Sequence, residues 1–161
     1  MKELTLIGRA ERVDFPGLHL ERIPAKIDTG ADSSSIWATA QLKRDGSLEV
    51  VFFAPESPFY TGEVHTYSQD EYEVTRVSNS FGQREVRYKL WLSIAVNGRR
   101  IRGSFTLADR ATKLYPILLG RRLLNGKFLV DVSQGEPLLK EERQRRHKLE
   151  KEIKRNEGRL A

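Results

Sequence analysis

One aspartate stands in a setting that suits acid–base chemistry. Positions 27–31 read Ile-Asp-Thr-Gly-Ala, so Asp28 follows an apolar residue and precedes a hydroxyl and a glycine. A carboxylate held in this way can act as a general base toward a bound water. Gly30 allows a sharp turn and a close approach of substrate to the backbone, and Ala31 is small enough for the loop to be buried. The alternative for the triplet alone is a polar turn between two strands.

A second segment, positions 117–124, reads Ile-Leu-Leu-Gly-Arg-Arg-Leu-Leu. Together the two segments resemble the catalytic loop of pepsin-like and retroviral aspartic proteases and the glycine–arginine segment that packs beneath that loop. The chain has a single Asp-Thr-Gly, whereas a protease of this type needs two, so the resemblance implies a homodimer. It implies a catalytic group and its support, namely Asp28, Thr29 and Gly30 for catalysis and Gly120 and Arg121 beneath them.

The chemistry of such a pair divides the roles of its two carboxylates. One holds a water as general base, and the other starts protonated and polarises the scissile carbonyl. Two aspartates about 3 Å apart cannot both ionise, so they share a proton and titrate as a pair. The Thr29 hydroxyl is expected to bond across the dimer interface and fix the loop.

The resemblance covers roughly positions 20–130, with extra residues between about 42 and 76. Segment 77–84 takes the place of the flap, a mobile hairpin that closes over substrate. The runs 76–80 and 128–131 are similar to a bacterial group long labelled ATP-dependent zinc proteases, whose members are often associated with ATP-grasp glutamate ligases. The resemblance implies substrate contacts from Ala31, Asp32, Ser80, Phe81 and Gly82.

An ion pair is expected beside the catalytic loop. In retroviral members the acid after the loop pairs with the arginine after the buried glycine, and Asp32 and Arg121 occupy those positions. We therefore predict that they pair beneath the cleft, whereas Arg122 matters little if its side chain points to solvent. In the bacterial group a basic residue often stands where Asp32 is. The alternative is that both side chains are solvated.

Composition is that of a soluble globular protein with a charged extension. The 161 residues are 39% hydrophobic and 31% charged, enough for one domain with a core. There is no cysteine, which fits a reducing compartment and excludes disulfides and thiolate metal sites. No run has the length of a signal peptide or a membrane span, so a cytoplasmic protein is expected. The net charge of +6 indicates either a basic surface that has no dedicated partner or a surface that binds acidic material.

Short segments rich in β-branched and aromatic residues predict an all-β fold, a small closed barrel of the retropepsin-like kind. Predicted strands cover 4–7, 25–27, 48–53, 85–96, 100–108 and 115–119. Asn97-Gly98 predicts a tight hairpin. Gly120 should open a short helix that stops at Asn125-Gly126.

The chain changes character after Gly135. We predict a barrel domain over 1–135 and a charged, basic helix or tail over 136–161. Residues 136–161 carry nine Lys/Arg and six Asp/Glu, with few apolar residues. One interpretation is a solvated helix that is docked through Leu149 and Ile153 or frayed at its end. The other is a helix that binds nucleic acid or an acidic partner.

No metal or cofactor is predicted. His19, His65 and His147 lie in separate segments, and no His-Glu-x-x-His occurs. His65 with Asp70 or Glu71 has no spacing that fixes a metal geometry. There is no Gly-x-x-x-x-Gly-Lys-Ser/Thr loop for nucleotide phosphates.

The preferred hypothesis is an aspartic-type peptidase that acts as a homodimer on a peptide or protein substrate. The alternative is a non-catalytic module that keeps the fold for dimerisation or peptide binding and works beside a glutamate-modifying enzyme. A third hypothesis, a basic nucleic-acid-binding β-barrel, lacks an aromatic and basic surface motif.

Overall fold

The computed structural model describes residues 3–79 and 81–160, and most of its ordered elements are strands. The strands are β1 (Thr5–Ile7), β2 (Ala10–Phe15), β3 (Leu20–Ile27), β4 (Ser34–Leu42), β5 (Leu48–Phe52), β6 (Val64–Tyr67), β7 (Tyr72–Ser78), β8 (Arg84–Val96), β9 (Arg99–Ala108), β10 (Ile117–Leu119) and β11 (Phe128–Val130). The helices are α1 (Arg121–Leu124) and α2 (Leu139–Leu160), with a 3₁₀ turn at Pro16–Leu18.

Six strands close into a barrel in the order β10-β3-β2-β8-β9-β4, and pairing between β4 and β10 completes the circle. Two of the neighbouring pairs, β3 with β10 and β4 with β9, are parallel. The other barrel pairs are antiparallel. The predicted all-β closed barrel is therefore confirmed.

Every second side chain along the strands points into the barrel and fills its interior. In β8, Leu90, Leu92, Ile94 and Val96 are buried, and Trp91 between them is half exposed. Successive side chains of a strand point to opposite faces, so one face of each strand supplies the core. Phe15 and Phe105 meet inside the barrel edge to face, with ring centroids 5.5 Å apart.

The Asn97-Gly98 hairpin is confirmed. Val96 pairs with Arg99, so β8 and β9 are joined by two residues, both with positive φ (46° for Asn97 and 79° for Gly98). This is the primed turn whose twist matches that of the flanking strands. The predicted stop of α1 is also present, because the helix ends at Leu124 and Gly126 has a φ of 73°.

Strand patterns miss two barrel strands. β2 contains the charged residues Glu11, Arg12 and Asp14, which hide its buried Val13 and Phe15 from a simple apolar count. β4 begins with serines rather than β-branched residues. Its small hydroxyl side chains are nevertheless buried, because β4 lies between β9 and β10.

Three further strands and one small sheet stand outside the barrel. β5 pairs with β4, and β6 adds to β5, so part of the 53–72 insertion extends the sheet. β7 pairs with the first half of β8 and forms a long hairpin. β1 and β11 form a separate parallel pair; in the chain, β1 precedes the barrel strands and β11 follows them.

Helix α2 is docked through its first turns only. The Glu142 carboxylate accepts a hydrogen bond from the Tyr115 hydroxyl (2.9 Å) and pairs with Arg9 (3.3 Å). The expectation that Leu149 and Ile153 dock the helix is wrong, since they are 56% and 48% exposed. The Arg9–Glu142 ion pair and Tyr115 hold the helix instead of these two apolar residues. In the described ranges, neither helix has both the length and the apolar character required to cross a membrane.

Candidate active site

The Asp28 loop lies where two parallel strands end side by side. Ile27 of β3 pairs with Leu119 of β10, so the residues that follow, Asp28 and Gly120, are neighbours in space. The Asp28 amide donates to the Leu119 carbonyl at 2.9 Å. Parallel pairing thus explains why two segments about 90 residues apart meet at one end of the barrel.

The loop itself forms a tight turn around its carboxylate. The Gly30 amide donates to Asp28 Oδ1 at 3.0 Å, and the Ala31 amide donates to the Asp28 carbonyl at 3.2 Å. Asp28 is half buried, whereas Thr29 and Gly30 are exposed. The carboxylate is consequently oriented by backbone groups and remains reachable from solvent.

Gly120 lies directly beneath this loop and in contact with its backbone. A Cβ at this position would lie 2.5 Å from the Ser33 carbonyl oxygen and 2.9 Å from the Ala31 carbonyl oxygen. The Gly120 amide donates to the buried Ser34 hydroxyl at 3.0 Å. These contacts require glycine because the backbone of the loop passes directly over its Cα.

The first amides of α1 bind the carbonyls of the same loop. The Arg121 amide donates to the Ala31 carbonyl at 2.8 Å, and the Arg122 amide donates to the Asp32 carbonyl at 3.1 Å. The first amides of a helix have no partner within the helix, so the loop satisfies two of them. The loop and the start of α1 are therefore joined by backbone hydrogen bonds.

The predicted Asp32–Arg121 pair needs correction. The two side chains approach to 3.8 Å, but Arg122 is nearer to Asp32, at 3.0 Å. All three side chains are more than half exposed, so the pair is solvated and not buried beneath a cleft. The Arg121 guanidinium donates instead to the carbonyls of Thr29 (3.2 Å) and Gly30 (3.0 Å). Arg121 therefore supports the loop chiefly by binding the backbone carbonyls of the loop, not by pairing with Asp32.

The β7–β8 hairpin occupies the position of the predicted flap. At its tip the Asn79 carboxamide oxygen accepts hydrogen bonds from the amides of Phe81 and Gln83, both at 3.0 Å. Gly82 has a φ of 75°, and the Phe81 ring is 86% exposed. Ser80, also predicted to contact substrate, lies outside the described residues.

One arginine near Asp28, Arg110, is not singled out by the sequence. Arg110 follows β9 and donates to the Tyr115 carbonyl (2.9 Å) and to the Ser35 hydroxyl (3.4 Å). Burial lowers the pKa of the Arg110 guanidinium, the positive charge of Arg87 lowers it further, and the negative charge of Asp28 opposes both. Arginine nonetheless stays charged in proteins. No local pattern in the sequence points to Arg110, because its contact with Ser35 joins residues 75 positions apart.

A basic cleft of about 430 Å³ lies between the barrel and the start of α2. Six of its lining residues are cationic and one is acidic. The lining residues are Arg9, Lys26, Arg110, Lys113, Leu114, Tyr115, Glu142, Arg145 and Arg146. Lys26 precedes Asp28 by two residues, and the Arg110 guanidinium reaches Ser35, which closely follows the Asp28 loop, so the cleft adjoins that loop.

The histidines are dispersed. His65 packs edge to face on Phe52 and lies 3.8 Å from the Glu63 carboxylate, while His147 is on α2. Across residues 3–79 and 81–160, no three His, Cys, Asp or Glu side chains are grouped so as to hold a metal ion.

A closed barrel with an Asp-Thr-Gly loop seated on a glycine–arginine segment is the architecture of a retropepsin-like protein. The chain belongs to the RimB-like family, whose description is retropepsin-like aspartic endopeptidase RimB and whose sequence model matches residues 6–141. This assignment agrees with the resemblance seen in the sequence.

Curated relatives and a solved structure extend the comparison. The chain is 30% identical over 142 residues to a protein of Shewanella pealeana named "Probable alpha-L-glutamate ligase", and 29% identical over 138 residues to a protein of the same name from Desulfotalea psychrophila. These matches cover 81% and 78% of this chain but only 29% and 28% of the relatives. A Legionella pneumophila protein of unknown function shares the fold, with a TM-score of 0.59 and 23% identity over 83% of this chain and 97% of that one.

Proposed function

We propose that the protein is an aspartic-type endopeptidase that works as a homodimer, with one Asp28 from each chain. The observation that carries this proposal is the Asp28 loop, whose carboxylate is fixed by the Gly30 amide and whose backbone rests on Gly120. A two-fold axis beside this loop would bring a second Asp28 close to the first. The single Asp-Thr-Gly in the chain is the reason that a second copy is needed.

In the proposed reaction, one Asp28 carboxylate takes a proton from water, and the water oxygen attacks the peptide carbonyl carbon. The carboxyl group of the second copy donates its proton to the carbonyl oxygen. The tetrahedral intermediate then collapses: its C–N bond breaks, the carbonyl re-forms, and the amine nitrogen takes a proton from the first carboxyl group. The hydroxyl proton returns to the second carboxylate, which restores the pair.

The surrounding residues would bind and enclose the peptide. Ala31 and Asp32 follow Asp28 in the loop, and Phe81 and Gly82 lie at the tip of the β7–β8 hairpin. Closure of this hairpin over a bound peptide would exclude water from the reacting bond. The exposed Phe81 ring would then gain an apolar contact.

An acidic peptide is the substrate class that the charges favour. The basic cleft adjoins the Asp28 loop, and Arg110 is held there half buried and charged. The curated relatives, named as glutamate ligases, contain a segment similar to this chain within a longer protein. We therefore propose a glutamate-rich segment as substrate, bound with its carboxylates toward the cleft.

The same relatives support a second candidate function. A chain that resembles one part of a glutamate ligase can act as a dimerisation or peptide-binding module beside such an enzyme, without cleaving anything. Under this proposal the basic cleft would hold the acidic product, and Asp28 would serve only to shape the loop.

The experiment compares the wild-type protein with Asp28→Asn on a mixture of glutamate-rich and neutral peptides analysed by mass spectrometry. We expect cleavage by the wild type, none by Asp28→Asn, and unchanged cleavage by Asp45→Asn, whose side chain lies in the turn between β4 and β5. Cleavage by Asp28→Asn at the wild-type rate would refute the aspartic mechanism. Binding without cleavage by the wild type would favour the module.

Mixing the two proteins tests the shared site. If each site needs Asp28 from both copies and subunits exchange freely, an equal mixture of wild type and Asp28→Asn retains about a quarter of the activity. Independent sites would retain about half. Sedimentation measurements should show a dimer, and a strict monomer that cleaves peptide would contradict the proposal.

A further inference from the structure

The charges of helix α2 are segregated by face. At about 100° per residue, seven cations fall within an arc of about 160° of the helix surface, and they are Lys140, Arg143, Lys148, Lys151, Lys154, Arg155 and Arg159. The carboxylates of Glu150, Glu152 and Glu157 lie outside this arc, and Glu141 stands at its edge. We call these seven residues the basic arc.

The basic arc is turned away from the barrel. The helix contacts the barrel through Glu142, which binds Tyr115 and Arg9, and through Arg145, which donates to the Thr112 carbonyl at 2.9 Å. The centre of the arc is about 150° around the helix from these contacts. All seven side chains are exposed. Within the described residues, none of the seven forms an ion pair.

The dimensions of the arc fit a polyanion of high linear charge. From Lys140 to Arg159 the cations extend over about 28 Å of helix axis, with one every 4–5 Å on average. A nucleic-acid duplex carries one negative charge per about 1.7 Å of its axis, so each cation in the arc can reach a phosphate. The α-helix is about 10–12 Å wide, which is close to the width of a DNA major groove, about 12 Å.

We propose that the basic arc is a docking surface for the phosphate backbone of a nucleic-acid duplex. The helix contains no Phe, Tyr or Trp, so it lacks the large aromatic stacking platform that single-strand binding uses. The side chains of the arc are lysines and arginines, which bind phosphates without reading the sequence. An acidic peptide on its way to Asp28 would occupy the cleft on the barrel side of the helix, whereas the arc faces the other way. The surface thus tethers the protein to a second partner.

Fluorescence anisotropy of the full chain with labelled duplexes tests this proposal. The probes are an RNA duplex and a DNA duplex of equal length and unrelated sequence, titrated between 50 and 200 mM salt, a range over which phosphate contacts lose affinity steeply. The variant is Lys148→Gln/Lys151→Gln/Arg155→Gln, which removes three charges from the centre of the arc. If each of these contacts a phosphate, the slope of log affinity against log salt becomes shallower by about 2–3.

The matched control removes three charges elsewhere. Arg44, Arg100 and Arg102 are exposed on the barrel, so Arg44→Gln/Arg100→Gln/Arg102→Gln has the same net charge as the arc variant. We expect this control to keep the salt slope of the wild type within about one contact. An equal loss in both variants would mean that only net charge matters, and the proposed surface would be wrong.

Two further outcomes would overturn the proposal. One is the absence of duplex binding by the wild type at 50 mM salt, where phosphate contacts are strong. The other concerns a poly-glutamate peptide: if the arc variant loses affinity for this peptide while duplex binding is unchanged, the arc serves an acidic protein. Neither result depends on peptidase activity, so the test stands apart from that of the proposed function.

Discussion

Replacing Gly120 with alanine tests how the Asp28 loop is held. The added methyl group would lie 2.5 Å from the Ser33 carbonyl oxygen and 2.9 Å from the Ala31 carbonyl oxygen. Both obstacles are backbone atoms, which cannot rotate aside as a side chain does. The φ of Gly120 is −96°, a value that alanine adopts freely, so any cost comes from crowding alone.

The magnitude follows from the kind of neighbour. Overpacking typically costs 1–3 kcal/mol, and a clash with backbone at this distance belongs to the upper half of that range. For a chain of this length 1 kcal/mol shifts Tm by about 2–4 °C, so Gly120→Ala should lower Tm by about 4–12 °C. Because relief requires the loop to move away from α1, peptide cleavage should fall more steeply than stability.

Differential scanning calorimetry with two other glycines provides the comparison. A Cβ on Gly17 meets nothing within 4 Å, so Gly17→Ala should leave Tm unchanged or raise it slightly. A Cβ on Gly103 meets the end of the Leu123 side chain at 2.7 Å, which can shift, so Gly103→Ala should fall between the two. A Tm for Gly120→Ala within one degree of the wild type would refute the close packing of the loop backbone against Gly120.

Three further predictions concern contacts beside the Asp28 loop, at the start of α2 and in the turn after β11. A double-mutant cycle of Asp32→Ala and Arg122→Ala should give a coupling below about 1 kcal/mol, because the pair is solvated; a coupling above 2 kcal/mol would mean a buried pair. Tyr115→Phe removes two hydrogen bonds to the start of α2 and should cost about 1–2 kcal/mol, with faster amide exchange in its first turns, and unchanged exchange would contradict the docking. Hydrogen bonds from Ser133 lower the pKa of Asp131, so its contribution to stability is present at neutral pH and is lost as the pH falls below about 4. Asp131→Asn should therefore flatten the decline of stability between about pH 5 and 3 in denaturant titrations, and an unchanged profile would exclude this contribution.

The sequence alone determined those features that depend on residues close together in the chain. The Asp-Thr-Gly-Ala run, the Asn97-Gly98 turn and the stop of α1 at Gly126 each follow from the local conformations that their residues permit. The strand alternation and the two matching segments were enough to identify the barrel and the retropepsin-like family. Gly120 could be assigned to a place beneath the loop because its segment resembles a known one.

The tertiary structure decided what depends on residues far apart. Arg110 lies near Asp28 because its side chain reaches from the segment after β9 to Ser35 of β4, and no spacing in the sequence contains that information. Arg122 rather than Arg121 is the nearer partner of Asp32 because α1 directs the two neighbouring side chains differently. Which face of α2 remains free was settled by two charged side chains, Glu142 and Arg145, that bind the barrel. Local patterns determine conformations, whereas the partners of long polar side chains are set by strand pairing and barrel closure.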